Sequence, residues 1–380
     1  MLRSSRSSRT TNKWICLFGL LAVVLLIRQV KESKTTRFII EENATHDNGN
    51  AAVSGSSSST SWTAEDLVDA GRAVKASIRS KDPSIPMEFD MLVFPLSIDK
   101  VISRDILQKE MYEPEMSQFI HHALTTTTTT SSAKDNRNQR NFAVDFGANV
   151  GFHTLHMAYL GAQVIAFEPA PDTGDLLSAS LEMNPLLLRD RVTLVRAAAA
   201  DAPGTGQLSR HPDSPGLTTL ASTVNLPKEW KLKEIVGSGE GGGDKDDTTG
   251  MSSSSTTIQM VRAKDVLTRH GVPTNDNSSQ LALLKVDAEG FELQAMRGLD
   301  LDAFPFRFLA LEFFPSLIQG GGVEDPVDVL MFLTDHGYHC SVGSFDETQI
   351  IARDRSQWKQ WMDQNGIMTS HVNLYCEKKA

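Results

Sequence analysis

Apolar residues recur in short runs along the C-terminal part of the chain, at 142–146, 163–167, 192–196, 281–286, 308–311, 338–342 and 371–376. Runs this short, bounded by polar or glycine-containing segments, read as buried strands. Between them the period lengthens to that of a helix over 152–160, 172–183, 265–270, 289–298 and 327–336, with a strand-like run at 258–261. Strands alternating with helices predict right-handed crossovers and a doubly wound α/β sheet. Upstream, 62–140 reads as a helical extension. Leu67, Val68, Val74 and Ile78 can share one apolar stripe, Pro83 and Pro86 break it, and a second helix covers 113–124. Thr125 to Thr130 with Lys134 to Arg140 read as a solvated loop. The Gly-, Asp- and Ser-rich stretch 237–255 reads as a disordered insert in the domain 141–380.

The first residues follow a different pattern. Arg3, Arg6, Arg9 and Lys13 make 1–13 a basic tail, and Trp14 to Ile27 contains neither charge nor proline. That run is short for a spanning helix of about 20 residues, and extends through Val30 if Arg28 and Gln29 snorkel. No small-x-small cleavage site follows, since the next residues are Arg28-Gln29-Val30-Lys31-Glu32. The segment 14–30 therefore reads as an uncleaved signal anchor with the tail in the cytosol and the rest of the chain in the lumen. A short anchor suits the thinner early secretory membranes. A cleaved signal or an organelle transit peptide is the alternative. Residues 31–61 are polar and aperiodic, as in a disordered stem. They carry the sequon Asn43-Ala44-Thr45, and Asn277-Ser278-Ser279 is a second.

Charge narrows the partners. A net charge of −10 argues against a nucleic-acid surface, which needs clustered Lys and Arg. The three cysteines, Cys16, Cys340 and Cys376, are too few for a disulfide framework and read as ordinary buried thiols, although Cys340 and Cys376 become neighbours if their strands pair.

The densest chemistry lies at Val144-Asp145-Phe146-Gly147-Ala148-Asn149-Val150-Gly151. A strand tip carrying an acid, then a glycine turn, then a helix, is the layout of a cofactor site at the carboxyl end of a first parallel strand. The glycines are expected to let the backbone approach the ligand, and Asp145 to hold a cationic or hydroxylated group. The spacing is G-x-N-x-G, not the G-x-G-x-x-G of a pyrophosphate loop, which favours S-adenosylmethionine over NAD. Phe167-Glu168-Pro169 ends the second strand, where an acid grips a ribose diol.

With Lys285-Val286-Asp287-Ala288-Glu289-Gly290-Phe291-Glu292 and the strand ending in Glu312, these segments closely resemble the FkbM family of S-adenosylmethionine-dependent methyltransferases. The likeness spans roughly residues 90 to 340, and Met111-Tyr112-Glu113-Pro114 is similar to the family's lead-in. The resemblance implies a seven-stranded Rossmann-like sheet whose last strand runs antiparallel between the fifth and sixth. The expected cofactor contacts are Asp145, Gly147, Ala148, Asn149, Gly151, Glu168 and Asp201.

Lys285 and Asp287 lie on one face of their strand, and Glu289 and Glu292 are expected on one face of the following helix. With Glu312 they converge on one rim, giving Asp287, Glu289, Lys285 and Glu312 as the catalytic candidates. A hydroxyl acceptor must lose a proton. Either Asp287 takes it while Glu289 or Glu312 orients the acceptor, or the carboxylates hold Mg²⁺ or Ca²⁺; the first is preferred and no metal ligand is assigned. Lys285 also fits a buried lysine satisfied by Asp145 or Glu312, and Glu292 a solvated helix face. His153 and His156 read as helix packing, and His211 as a loop residue within reach of an acceptor. The expected function is O-methylation of a glycan in the Golgi or another secretory compartment, because anchor and stem resemble those of Golgi glycan-modifying enzymes. A lipid or small-metabolite acceptor, a non-catalytic lumenal glycan-binding protein and an NAD-dependent oxidoreductase are the rivals.

Overall fold

The computed structural model describes residues 62–82, 84–129, 141–211, 214–221, 256–274, 280–343, 345, 350, 352–367 and 370–379. The basic tail, the expected anchor and stem, both sequons and the 237–255 insert lie outside the described residues. Among the described residues no helix is long and apolar enough to cross a membrane.

The extension combines helices with a strand pair that the helical reading missed. Thr63 caps a short helix α1 (Ala64–Asp69), and two strands follow, β1 (Val74–Arg79) and β2 (Glu88–Val93), paired antiparallel. Val74 and Ile78 belong to a strand because the period there is two: Ala76 and Ile78 are buried while Lys75, Ser77 and Arg79 face outward. Val68 is exposed. Helices α2 (Ile102–Lys109) and α3 (Pro114–Thr129) complete the segment. The threonine run up to Thr129 continues α3 instead of forming a loop, and the Thr125 hydroxyl donates to the His121 carbonyl one turn back at 2.7 Å.

The main body runs β3 (Phe142–Phe146), α4 (Phe152–Tyr159), β4 (Gln163–Phe167), α5 (Pro171–Met183), α6 (Leu186–Arg189) and β5 (Val192–Val195). A small sheet then interrupts it: β6 (Ala198–Ala199), β7 (Gly204–His211), β8 (Ser214–Ala221) and β9 (Thr256–Val261), in the order β6-β9-β7-β8. The chain returns through α7 (Ala263–Arg269), β10 (Leu281–Val286), α8 (Glu292–Leu299), β11 (Phe308–Phe313), α9 (Pro315–Gly320), α10 (Val327–Asp335), β12 (Tyr338–Val342), α11 (Arg355–Asn365) and β13 (Val372–Lys378).

Seven strands form the central sheet in the order β12-β13-β11-β10-β3-β4-β5, and β13 pairs antiparallel with both β11 and β12. The doubly wound α/β expectation and the inserted last strand are thus borne out. β10 is buried at every position, as a central parallel strand covered on both faces must be. One apolar layer packs the extension, α4 and α5 against the sheet; the other packs α7, α8, α10 and α11 against its opposite face. The β12–β13 register sets Cys340 opposite Cys376, and the two form a disulfide. This corrects the expectation of free thiols: both side chains are buried and directly cross-strand, so neither has another partner to meet.

Candidate active site

The carboxyl ends of β3, β10 and β11 meet at one edge of the sheet, and β3 and β10 are in contact there. The Asp287 N–H donates to the Phe146 carbonyl at 3.1 Å, and Lys285 faces Asp145 across the ladder. Gly147 follows with φ 76°. A Cβ on it would stand 1.7 Å from the Asp287 carbonyl oxygen. The neighbouring strand tip therefore requires the glycine, a constraint the motif alone did not reveal. At Gly151 the obstacle is again protein: a Cβ would meet Leu177 Cδ1 at 2.2 Å.

Asp145 is fully buried. Its carboxylate accepts from the Thr154 hydroxyl at 2.6 Å and pairs with Lys285 Nζ at 3.2 Å, so it is engaged within the protein. Lys285 Nζ also reaches Asp287 Oδ2 at 3.3 Å and the Gly147 carbonyl at 3.2 Å. Burial alone would depress the ammonium, but Asp145 and Asp287 outweigh it and raise its pKa, keeping the charge. The reading of Lys285 as a buried, carboxylate-satisfied lysine holds.

Two cavities adjoin this edge. One runs between Phe146, Gly147, Asn149, Phe167, Glu168, Thr173, Ala198, Ala199, Leu208 and Phe291. Glu168 is nearly buried in its wall and accepts from the Asn149 N–H at 2.7 Å, the Ala170 N–H at 2.8 Å and the Thr173 hydroxyl at 2.7 Å. Burial raises its pKa against these hydrogen bonds. Asn149 turns the loop with φ 53°, a left-handed conformation that Asn tolerates better than most residues. Leu208, Ala198 and Ala199 belong to the small sheet, which the sequence reading did not foresee beyond the strand-like 258–261 run. Asp201 is exposed and lines neither cavity, because the chain has already turned outward past β6.

The second cavity is lined by Ile102, Tyr112, Ala148, Val150, Phe152, His153, Lys285 and Glu312. Gly147, Asn149, Asp287 and Glu289 line both. Asp287, Glu289 and Glu312 each bring a carboxylate oxygen to within 4.8 Å of the others. Burial, then the charge of Asp287, pushes Glu289 and Glu312 well above the usual carboxylate range. Asp287 Oδ1 is buried without a donor.

Glu289 and Glu292 do not share a helix face. Glu289 sits in the turn before α8 with φ 50°, and α8 begins only at Glu292. Glu292 is buried and turns back to accept from the Gly290 N–H at 2.9 Å and the Ala288 N–H at 3.2 Å, so it builds the turn. Burial pushes it up to about 7.

Of the histidines, His156 is buried and pushed down to about 3 by burial, as its packing role requires. His153 was also read as packing, yet it lines the second cavity and its Nε2 lies 2.9 Å from Glu113 Oε2. Tyr112 and Glu113 were noted only as a lead-in, and no periodicity marks them as site residues. His211 ends strand β7 and is not on a loop.

Residues 145–340 match the profile described as "Methyltransferase FkbM domain". "Methyltransferase sdnD" of Sordaria araneosa is 30% identical over 60% of this chain and 80% of its own length. "Methyltransferase 1" of Beauveria bassiana is 30% identical over 42% of this chain, which spans 59% of that relative. Among solved structures, an O-methyltransferase from Bacillus cereus in complex with SAH aligns with 74% of this chain and 98% of its own, at 7% identity and a TM-score of 0.29.

Proposed function

The chain belongs to the FkbM methyltransferase family, and from that premise we propose that it moves the methyl group of S-adenosylmethionine to a hydroxyl oxygen of a glycan or other secretory-pathway acceptor. One observation carries this reading: the two cavities share Gly147, Asn149, Asp287 and Glu289, so molecules held in each would meet at a carboxylate. The lining of the cavity beside Glu168 suits a nucleoside. Its apolar side chains Phe167, Ala198, Leu208 and Phe291 suit a base, and Glu168 offers acceptor oxygens to a ribose diol. When bound there, S-adenosylmethionine supplies the electrophilic methyl group.

The protein's part is alignment and proton transfer. The acceptor oxygen must approach the methyl carbon in line, and a fixed pocket wall contributes that orientation. Asp287, paired to Lys285 through Oδ2, keeps Oδ1 for the acceptor's proton. Glu289 and Glu312, held protonated by burial and by Asp287, can hydrogen-bond the acceptor without competing for its proton. A second reading rests on the close approach of the same three carboxylates, which also suits a hard divalent cation. The base is preferred because Lys285 already places a cation against Asp287.

The secretory location is supported by the basic residues ahead of Trp14 to Ile27 and by the Cys340–Cys376 bond, since disulfides persist in oxidising compartments. The test is calorimetry with S-adenosylmethionine and with NAD, then transfer of labelled methyl to glycans, lipids and small hydroxylated metabolites. Donor binding with label on a sugar hydroxyl is expected. Tight NAD binding without donor binding would overturn the reading, and label on a lipid or metabolite would move the acceptor class.

A further inference from the structure

We infer that Tyr112, from the segment ahead of the sheet, contacts the methyl acceptor through its phenol hydroxyl, and that the Glu113–His153 pair is the positioning device holding it over the carboxylate rim. The inference deepens the methyl-transfer reading and rests on it.

Tyr112 and Ile102 line the acceptor-side cavity from outside the domain that carries the sheet motifs. The Tyr112 ring is fixed from two sides, edge-on to Phe152 at 6.2 Å and against the His153 ring at 5.8 Å. Its backbone is fixed as well. The next residue, Glu113, has φ 43° although it is not glycine and precedes Pro114. That conformation is unfavourable for an L residue, and the position before proline is restricted further. Strain of this kind persists only where surrounding contacts over-determine it. Here the contacts are visible. Glu113 Oε2 meets His153 Nε2 at 2.9 Å, and His153 is 5% exposed. The Ser117 N–H donates to the Glu113 carbonyl at 3.0 Å, and the Ser117 hydroxyl to the Tyr112 carbonyl at 3.3 Å. Among the described non-glycine residues with positive φ, Glu113, Asn149 and Glu289 all lie at this site.

The chemistry of the wall says what the phenol is for. Asp287, Glu289 and Glu312 line the cavity, while Lys285 Nζ already faces Asp145, Asp287 and the Gly147 carbonyl and is not free to donate to a ligand. A polyhydroxylated acceptor has more oxygens than the protonated Glu289 and Glu312 can serve, and Tyr112 adds a donor from outside the carboxylate rim. Burial, then the charges of Glu113, Asp287, Glu312 and Glu289, opposes ionisation of Tyr112, so it remains a donor. Glu113 keeps its charge: burial opposes it, but the hydrogen bond from His153 and the charges of His153 and Lys285 outweigh that cost.

The experiment has two arms. In the first, the full chain is labelled with ¹³Cζ-tyrosine, and the Tyr112 resonance is identified by its loss in Tyr112→Phe. It should shift on Asp287→Asn and on Glu113→Gln, without any acceptor present. In the second, transfer is followed with methyl hexosides and glycerol as probes. Tyr112→Phe should raise KM for the probe about tenfold with donor affinity unchanged, the loss of one hydrogen bond. Glu113→Gln and His153→Gln should cause a similar loss, and Tyr112→Phe combined with Glu113→Gln should be no worse than either alone. A Tyr112 resonance indifferent to both charge changes overturns the inference, as does an unchanged KM in Tyr112→Phe. With no turnover on any probe the methyl-transfer reading is in question, and the resonance arm alone upholds or overturns the placement of Tyr112.

Discussion

Lys285 and Asp145 face each other across the β3–β10 ladder, with Nζ 3.2 Å from Oδ1 and side chains 3% and 0% exposed. The two residues come from sequence motifs far apart in the chain and make one buried ion pair. Each motif's charged residue therefore holds the other. Asp287 and the Gly147 carbonyl complete the set around Nζ, so the pair fixes the strand tips that carry the site.

Removing one partner leaves an uncompensated buried charge. Lys285→Met and Asp145→Asn should each destabilise the protein by about 3–5 kcal/mol, because a broken buried pair costs far more than an exposed one. Urea denaturation measures this. The double variant should recover part of the loss, and additive losses would show that the two charges are not coupled.

Gly147→Ala tests why that glycine is there. The new Cβ would press on the Asp287 carbonyl and force β3 and β10 apart at their tips. The expected result is a lower melting temperature together with weaker donor binding. A variant that melts normally yet binds no donor would instead return the glycine to the role of ligand clearance.

The central sheet was readable because its strands are uniformly apolar and punctuated by glycine and acidic residues, a signal that depends on local period alone. The pair β1 and β2 was misread because Val74 and Ile78 fit a helical stripe as well as an alternating one over so short a stretch. The site was partly legible. Asp287, Glu289 and Glu312 were found since each ends or follows a strand, and Glu168 lies where the second strand ends. Asp145 was assigned to ligand although it is buried against Lys285, and Glu292 was put on the wrong face because α8 starts later than its pattern implies. Glu113 and His153 meet through tertiary packing, which leaves no trace in spacing.

The Cys340–Cys376 bond closes a loop with a sequence separation of 36 residues. Constraining a loop of that length in the unfolded chain is worth about 3–4 kcal/mol. Cys340→Ser should therefore lower the melting temperature clearly, and alkylation of the denatured, unreduced protein should label Cys16 alone. Labelling of all three cysteines would show that the pair is reduced in the protein as isolated.

Glu292 makes stability depend on pH. Its carboxyl is pushed up to about 7 in the fold, against 4.5 for an ordinary glutamate, because burial penalises the charge. A raised pKa favours the folded state most below pH 4.5, and that contribution is lost as pH climbs through 7. The difference corresponds to about 3 kcal/mol at most. Glu292→Gln keeps an oxygen for the Gly290 and Ala288 N–H groups and does not titrate. Unfolding measured at pH 5 and pH 8 should show the wild type losing more stability than the variant over that interval. Parallel curves would mean that Glu292 stays ionised in the fold.

Asp287→Asn bears most directly on the chemistry. The change keeps the shape of the side chain and its contact with Lys285, but removes the group that takes a proton. Donor affinity should stay within a few fold, since Glu168 and the apolar walls lie on the other side of the junction. Transfer should fall by about 10²- to 10⁴-fold, the usual loss for a positioned general base. Chelation distinguishes the base from a cation held by Asp287, Glu289 and Glu312. A site working through its carboxylate is indifferent to chelator, whereas one working through a metal loses activity and regains it with Mg²⁺ or Ca²⁺. Near-full turnover by Asp287→Asn on the true acceptor would make Asp287 structural, a partner of Lys285 only. The proton would then have to leave through Glu289 or Glu312, both of which burial holds in the protonated form and would have to be ionised by the bound acceptor.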